Sequence, residues 1–162
     1  MEEQLIQAWY KNNYLSLKIL DAIPEEALDF TLSKRGGGKI GYQLVHIYNV
    51  RFWTLERIAK DLVEGQKAIK KEEIGGKAQI RKLLNDSAEQ VAAALKRGIE
   101  NGGKVKGHKG GVISLLGYFI NHEAHHRGNI MLTLKHSPFK MSQKEKYQVW
   151  MWSKASTEPE HI

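Results

Sequence analysis

The stretch that decides the fold is Asn121-His122-Glu123-Ala124-His125-His126-Arg127-Gly128, where three of the seven histidines fall within five residues. Around it, six residues follow one another in steps of four, three, four, three and four: Leu115, Phe119, His122, His126, Asn129 and Thr133. This spacing is typical of a helix that contributes one face to a bundle seam. The stretch therefore predicts a long helix, about 112–135, whose histidines replace core leucines.

Outward from this helix, glycine and proline divide the chain into further helical segments. Apolar residues recur at helical spacing in each of them, and no stretch competes as an alternating strand. The predicted helices are about 2–21, 40–63, 77–97 and 112–135, with a short one near 142–152. The fold class is therefore all-α, a four-helix bundle with a short additional C-terminal helix.

Length and composition favour one globular domain, which we place at residues 1–153, followed by a disordered tail at 154–162. The N-terminus, Met1-Glu2-Glu3-Gln4, is unlike a signal peptide, and apolar stretches are too short to span a membrane. We therefore expect a cytoplasmic protein without a membrane partner. Because the chain has no cysteine, any metal site must use nitrogen and oxygen ligands.

The net charge of +7 raises the possibility of a nucleic-acid partner. The basic residues, however, are concentrated in loops and near the C-terminus: Lys34, Arg35, Lys39, Lys104, Lys106, Lys109, Lys140, Lys144 and Lys146. No basic stripe with interleaved aromatic residues follows one helix, and no nucleic-acid-binding motif is present. We expect no specific nucleic-acid binding, although the charge would favour an anionic small substrate.

Two glycine-rich loops, Gly36-Gly37-Gly38-Lys39 and Gly102-Gly103-Lys104, superficially resemble phosphate-binding loops. Neither has the spacing of a P-loop or a dinucleotide fingerprint, and neither follows a predicted strand. We interpret both as flexible connections, with the second as a candidate border of an active-site entrance.

His122 and His126 are predicted to bind one metal ion together. Residues four apart share a helix face, with Cβ atoms about 5–6 Å apart. Burying two unpartnered imidazoles on a seam would be costly, and a shared metal ion removes that cost. His125 points to a different face.

A third ligand has to come from another helix, and His46 is the best candidate. It lies in the middle of the second predicted helix, beside the apolar residues Leu44 and Ile47. The remaining histidines lie in a loop, at a helix end and in the tail, and are predicted to be solvated: His108, His136 and His161.

The string His122-Glu123-Ala124-His125-His126 also matches H-E-x-x-H, the zinc-protease helix motif. The extended protease motif fails, because Asn129 and Leu132 stand where it needs glycine and histidine. Glu145, the downstream candidate for a third ligand, lies in a charged Lys-Glu-Lys run that looks solvated. The protease interpretation is therefore disfavoured.

The segment from His122 to Ile130 closely resembles the H-x-x-x-H-R-G-Q signature of the DinB/YfiT-like family, and Gln43 to Ile47 is similar to its second-helix histidine segment. The resemblance covers about residues 1–153 and implies a four-helix bundle with a three-histidine site for zinc, nickel or another divalent ion. On this basis the metal ligands are His46, His122 and His126. Asn129 replaces the usual glutamine after Arg-Gly.

The resemblance also implies a homodimer and a small-molecule substrate, since characterised relatives include transferases that use low-molecular-weight thiols, an isomerase and hydrolase-like proteins. Three imidazoles leave a metal ion at least one open position, where a water or thiol nucleophile can be activated. The sequence therefore suggests a metal-dependent transferase or hydrolase.

Other residues have open roles at this stage. Glu123 is a candidate outer-shell partner or base, or else an ion-pair partner of Arg127, for which a structural role is favoured. Four polar residues are candidates for the pocket: Gln43, Tyr48, Asn49 and Asn129.

Two alternatives to the enzyme remain. One is a non-enzymatic metalloprotein in which the ion closes the bundle core. The other is a helical interaction module that docks through Trp150-Met151-Trp152, although these residues could equally pack the last helix onto the bundle.

Overall fold

The computed structural model describes residues 1–33 and 37–159. Within them the chain forms five α-helices and no β-strand. The α-helices are α1 (Glu2–Ala22), α2 (Ile40–Ile58), α3 (Lys77–Glu100), α4 (Gly111–Lys135) and α5 (Gln143–Trp150). Short 3-10 helices cover Glu25–Asp29, Lys60–Val63, Lys71–Glu73 and Trp152–Lys154. The predicted all-α bundle with a short C-terminal helix is confirmed.

The first four helices form the bundle, and α1 and α2 lie on opposite sides of it. Both pack against α3 and α4, while α5 packs against α1. The two helices that carry the predicted metal ligands, α2 and α4, are therefore direct neighbours, as a shared site requires.

The bundle interior has a polar layer between two apolar clusters. One cluster is built around Trp9 and Phe119, and the other around Ile47 and Ile130. The buried polar side chains between them come from all four helices: Asn12, Asn13, Ser16, Arg51, Ser87, Glu123 and Arg127. In a helical bundle of this size, buried charges need partners within the same layer.

The core face of α4 differs by one position from the predicted seam. Glu123 and Arg127 are 0% and 7% exposed, whereas His122 and His126 are only half-buried. Neighbouring residues on a helix point about 100° apart, so the acidic and basic side chains turn inward and the histidines lie at the edge. The prediction that the histidines occupy core-leucine positions is wrong, because charged partners inside the bundle draw the intervening residues inward.

Helix boundaries agree with the predictions except in α2 and α5. α2 ends at Ile58 rather than near residue 63, because Ala59 leaves helical geometry and Lys60–Val63 is a 3-10 turn. α5 is shorter than predicted and begins after a capping box, in which Ser142 and Glu145 bond each other's backbone N–H groups.

The C-terminal segment contributes Val149 to the core and leaves two tryptophans outside. Trp150 is 63% exposed and Trp152 is 38% exposed, so the predicted packing role of this segment belongs to Val149. Ala155 is buried, while the end of the predicted disordered tail, 160–162, lies outside the described residues. No helix in the described ranges is long and apolar enough to cross a membrane.

Candidate metal centre

The structure brings His46, His122 and His126 together between α2 and α4. One ligand atom from each lies within 4.8 Å of the other two, and all three side chains are half-buried. The ring centroid of His46 lies 5.4 Å from that of His122 and 4.9 Å from that of His126. The structure therefore brings together the predicted pair, His122 and His126, and the predicted third residue, His46.

Aromatic side chains surround this histidine cluster. The Tyr118 ring stacks on the His122 ring with centroids 6.0 Å apart, and the Tyr42 and Trp53 rings lie 6.2 Å and 6.1 Å from His46. Trp53 and Tyr118 are 47% and 44% exposed. The cluster thus opens towards solvent through a rim of aromatic rings that carry no charge.

The surroundings keep the imidazoles neutral. Burial first, and then the neighbouring histidines, lower the pKa of His126 to about 4. Burial likewise lowers the pKa values of His46 and His122. Neutral imidazole is the form that binds a metal ion, so the cluster is ready for one at neutral pH.

The donor set fits one divalent ion. The Nε2 atoms of His122 and His126 lie 3.2 Å apart. Two imidazole nitrogens on one tetrahedral zinc ion, each at about 2.0–2.1 Å, are separated by about 3.3 Å, which is close to this distance. Three neutral nitrogen donors without thiolate suit zinc, nickel and other borderline divalent ions.

The outer side of the cluster departs from the common pattern of histidine metal sites. Ligating histidines usually donate their second ring N–H to a carboxylate, a carbonyl or water. In the described part of the protein, the buried Nδ1 atoms of His122 and His126 have no hydrogen-bond partner. The orientation of these two rings therefore comes from packing and from the placement of α4.

Glu123 does not act as a partner of the histidines. Its two carboxylate oxygens accept hydrogen bonds from Nε and Nη2 of Arg51, each at 2.8 Å, and one also accepts from Nδ2 of Asn12 at 2.7 Å. Both charged side chains are fully buried. A carboxylate engaged in this way is not free to be a general base, so the weak candidacy of Glu123 for catalysis is withdrawn.

Arg51 is the residue that sequence reasoning missed. Its Nη1 donates to Asn13 Oδ1, the Leu84 carbonyl and Ser87 Oγ at 2.8–3.1 Å, and its guanidinium lies 4.7 Å from the Trp9 ring centroid. A signal existed in the sequence. Arg51 continues the apolar spacing of Leu44, Ile47 and Leu55, where a charge demands a buried counterion.

Arg127 has the structural role that was favoured for it, although it is buried and not at the surface. Its Nη1 donates to Ser16 Oγ at 3.1 Å and to the Asn12 carbonyl at 3.3 Å, and it lies 3.9 Å from Glu123. The arginine of the signature therefore ties α4 to α1.

Three of the four polar pocket candidates are engaged elsewhere. Tyr48 donates to the Lys67 carbonyl, and the Asn49 amide bonds both the N–H and the carbonyl of Ile69. Asn129 lies 3.1 Å from a ring nitrogen of His125. Gln43 is buried beside Gly38, and its Oε1 has no partner among the described residues.

The remaining candidates lie away from the cluster. Glu145 is used in the α5 cap, His136 is exposed at the end of α4, and His161 lies outside the described residues. His108, between the second glycine-rich loop and α4, pairs with Ser114 in the first turn of α4. This loop ends where α4 begins, eleven residues or about 16 Å along the helix from His122, so it does not border the site.

A cavity of about 700 Å³ lies at the N-terminal end of α2, and none of the three clustered histidines lines it. Tyr42 lines it and also contacts the His46 ring, and Lys39, Lys71, Glu25 and Asp29 supply charged groups of both signs. Its volume is in the range of small-molecule sites. Tyr42 therefore contacts His46 and also lines the cavity.

Comparison with known proteins gives one match that covers most of the chain. The family model described as DinB family matches residues 1–137, which include all four bundle helices and the three histidines. No curated protein and no solved structure shows a significant match. The short C-terminal helix, α5, lies beyond the matched residues. With its bundle and its HxxxHRG segment inside the match, the chain belongs to the DinB family.

Proposed function

We propose that this chain binds one divalent metal ion, zinc or nickel, through His46, His122 and His126, and that it is a metal-dependent enzyme of the transferase or hydrolase type. The observation that carries the proposal is the convergence of three ligand atoms within 4.8 Å on a half-buried face. DinB family membership supports it.

When bound, a divalent ion supplies a water or thiol with a pKa lowered to near neutrality, and hence a nucleophile. The protein's own contribution is to present three neutral imidazoles and to surround the site with aromatic rings. The rings of Tyr42, Trp53 and Tyr118 contact His46 and His122, and Trp53 and Tyr118 are partly exposed.

The number of ligands favours a catalytic over a structural ion. Structural zinc sites are closed by four protein ligands, and catalytic sites use three. Within the described residues, the group that could hold the ion contains three members and no fourth histidine or carboxylate. Glu123, the nearest carboxylate in sequence, is committed to Arg51.

The substrate we propose is a small molecule whose reaction partner is water or a low-molecular-weight thiol. The cavity beside Tyr42 has room for such a molecule, one helical turn from His46. Lys71, which lies over the Tyr42 ring at the cavity wall, offers positive charge to an anionic substituent, whereas Lys39 is paired with Asp29.

The metal part of the proposal is tested by elemental analysis of the purified protein. Wild type is expected to carry about one zinc or nickel per chain after reconstitution, and His122→Ala to lose it. His125→Ala is the matched control on the same helix, since His125 is outside the ligand group and exposed. A metal content that His122→Ala leaves unchanged contradicts the proposal.

The catalytic part is tested by following the reaction of a thiol, cysteine, with a model electrophile, and the hydrolysis of a model ester. The metal-loaded wild type should accelerate at least one of these reactions, and His122→Ala should not. If neither rate responds to metal-loaded protein, the ion is structural or the substrate class is different, and the transferase or hydrolase assignment fails.

We also propose that the protein is a homodimer formed through the outer face of α4. The only charged residues between Gly111 and Leu134 are Glu123 and Arg127, and both are buried. The exposed side of the same helix carries Ile113, Tyr118 and Leu132. On a chain with 27% charged residues, an uncharged helix face favours contact with a second copy.

A further inference from the structure

We propose that Arg51 and Glu123 are positioning residues for the histidine cluster, and that their buried ion pair sets the distance of His46 from His122 and His126. This inference rests on the proposed metal binding at that cluster. It concerns what holds the ligands in place, since neither charged side chain contacts the ligand atoms.

The ion pair joins the same two helices as the histidines do. Arg51 follows His46 by five residues on α2, and Glu123 is adjacent to His122 on α4. At this level of the bundle, the histidines lie at the outer edge and the ion pair lies inside. A contact on the inner side of two helices fixes how closely and at what rotation their outer edges meet.

The geometry of the contact is restrictive. Two parallel hydrogen bonds of 2.8 Å join the guanidinium and the carboxylate, a fork-to-fork arrangement that defines direction as well as distance. Asn12 holds one carboxylate oxygen, and Asn13, Ser87 and the Leu84 carbonyl hold the guanidinium. Side chains from α1 and α3 therefore fix both members of the pair.

The histidines depend on this arrangement because, in the described ranges, the rings of His122 and His126 form a hydrogen bond with each other and none with another helix. The Nδ1 atoms of His122 and His126 have no partner in the described ranges. Packing against Tyr118 restricts one ring, but the gap between the two helices has to be set elsewhere. The pair at Arg51 and Glu123 is a direct polar contact between α2 and α4 next to the cluster.

Stability alone does not account for the pair. Replacing a buried ion pair by apolar side chains of similar size is often neutral or stabilising, because both charges lose their hydration when buried. The double variant Arg51→Met/Glu123→Leu therefore separates the two roles. The double variant should still fold as a helical bundle. It loses the two parallel hydrogen bonds that fix how α2 and α4 are oriented to each other.

The experiment is a titration of metal-free protein with Co(II), followed by the visible absorption spectrum, which reports coordination geometry. Arg51→Met/Glu123→Leu also removes the Glu123 carboxylate that lies 3.9 Å from Arg127, so the comparison uses helix content and not stability. The double variant should keep the helical circular dichroism of wild type, yet bind Co(II) about tenfold or more weakly and with an altered spectrum. The matched control is Lys82→Met/Asp86→Leu, which removes an exposed ion pair on α3 and should leave both unchanged.

If the double variant binds Co(II) with wild-type affinity and spectrum, the positioning role is wrong while metal binding stands. If the double variant does not fold, Arg51→Lys decides the question. Lysine keeps the charge and cannot form the fork, so wild-type Co(II) affinity and spectrum in Arg51→Lys would overturn the inference. If wild type itself binds no Co(II), the proposed function fails, and the positioning role fails with it.

Discussion

Among single side chains, His126 is a histidine whose pKa the fold lowers strongly. Burial lowers its pKa from 6.5 to about 4, so the folded chain holds it neutral at a pH where the unfolded chain protonates it. The stability that His126 contributes through this difference in pKa is fully present above about pH 6.5. It is lost as the pH falls towards 4, because the unfolded chain then binds the additional proton.

We therefore predict that the metal-free protein loses stability between pH 6.5 and pH 4 and that His126→Gln reduces this loss. The measurement is the free energy of unfolding in urea at several pH values. His136→Gln, at the exposed end of α4, is the control and should keep the wild-type slope. An identical pH dependence in His126→Gln and wild type would show that His126 is not the group responsible.

Loss of Arg51 should cost more stability than loss of an exposed charged residue. Arg51→Met leaves the buried Glu123 carboxylate with Asn12 and with Arg127 at 3.9 Å, but without the two bonds from Arg51, and we expect the free energy of unfolding to fall by about 3 kcal/mol. Lys82→Met, which breaks an exposed pair, should cost less than about 1 kcal/mol. Urea denaturation measures both, and equal losses would contradict the assignment of Arg51 to a buried network.

The candidate site could be predicted from the sequence as far as its ligand group. The pairing of His122 and His126 follows from their four-residue spacing on a helix. The assignment of His46 rests mainly on the family resemblance, and its place on a second helix permits it. The inward turn of Glu123 could not be predicted from α4 alone. It depends on Arg51, 72 residues away, and that pairing exists only once α2 and α4 are neighbours.

At the level of elements, α2 is joined to the segment that follows it through Asn49. The amide accepts from the Ile69 N–H at 2.8 Å and donates to the Ile69 carbonyl at 2.9 Å, while Tyr48 donates to the Lys67 carbonyl. These bonds hold the connection between α2 and α3 along the same helix that carries His46.

Asn49→Ala should therefore loosen this connection while leaving the bundle folded. We predict faster hydrogen exchange at Ile69 and its neighbours, because the side chain that bonds that N–H is gone. Exchange followed by mass spectrometry checks this, with Asn121→Ala, an exposed asparagine on α4, as the control. Unchanged protection over residues 66–70 in Asn49→Ala would mean that other contacts hold the segment.

The elements themselves were largely predictable. α1, α3 and α4 follow from apolar periodicity and from the glycines and proline that flank them, within three residues at each end. The end of α2 could not be predicted, because apolar residues continue at helical spacing as far as Val63 and give no sign of the break at Ala59. The start of α5 depends on a capping box that the sequence does contain, at Ser142 and Glu145.

For the whole molecule, the net charge of +7 and the uncharged outer face of α4 have opposite effects on self-association. The net charge disfavours approach of two copies, and the uncharged face gives them one surface where approach is least opposed. His125 and Tyr118 lie on this face beside the histidine cluster. A dimer formed there would narrow the access of solvent to the site.

Leu132→Glu is predicted to turn the dimer into a monomer, since it places a charge on an exposed apolar position of α4 at 53% exposure. Sedimentation velocity measures the outcome. Trp150→Glu, which alters an exposed aromatic residue on α5, is the control and should stay dimeric. A monomeric wild type, or a dimeric Leu132→Glu, would contradict the proposed interface.

The central claim, a three-histidine site with room for a further ligand, is tested most directly by X-ray absorption spectroscopy of the protein loaded with one equivalent of zinc. The account predicts scattering from three imidazole rings together with at least one additional light-atom ligand that no protein side chain supplies. Fewer than three imidazoles, or a shell closed by a fourth protein ligand, would contradict it.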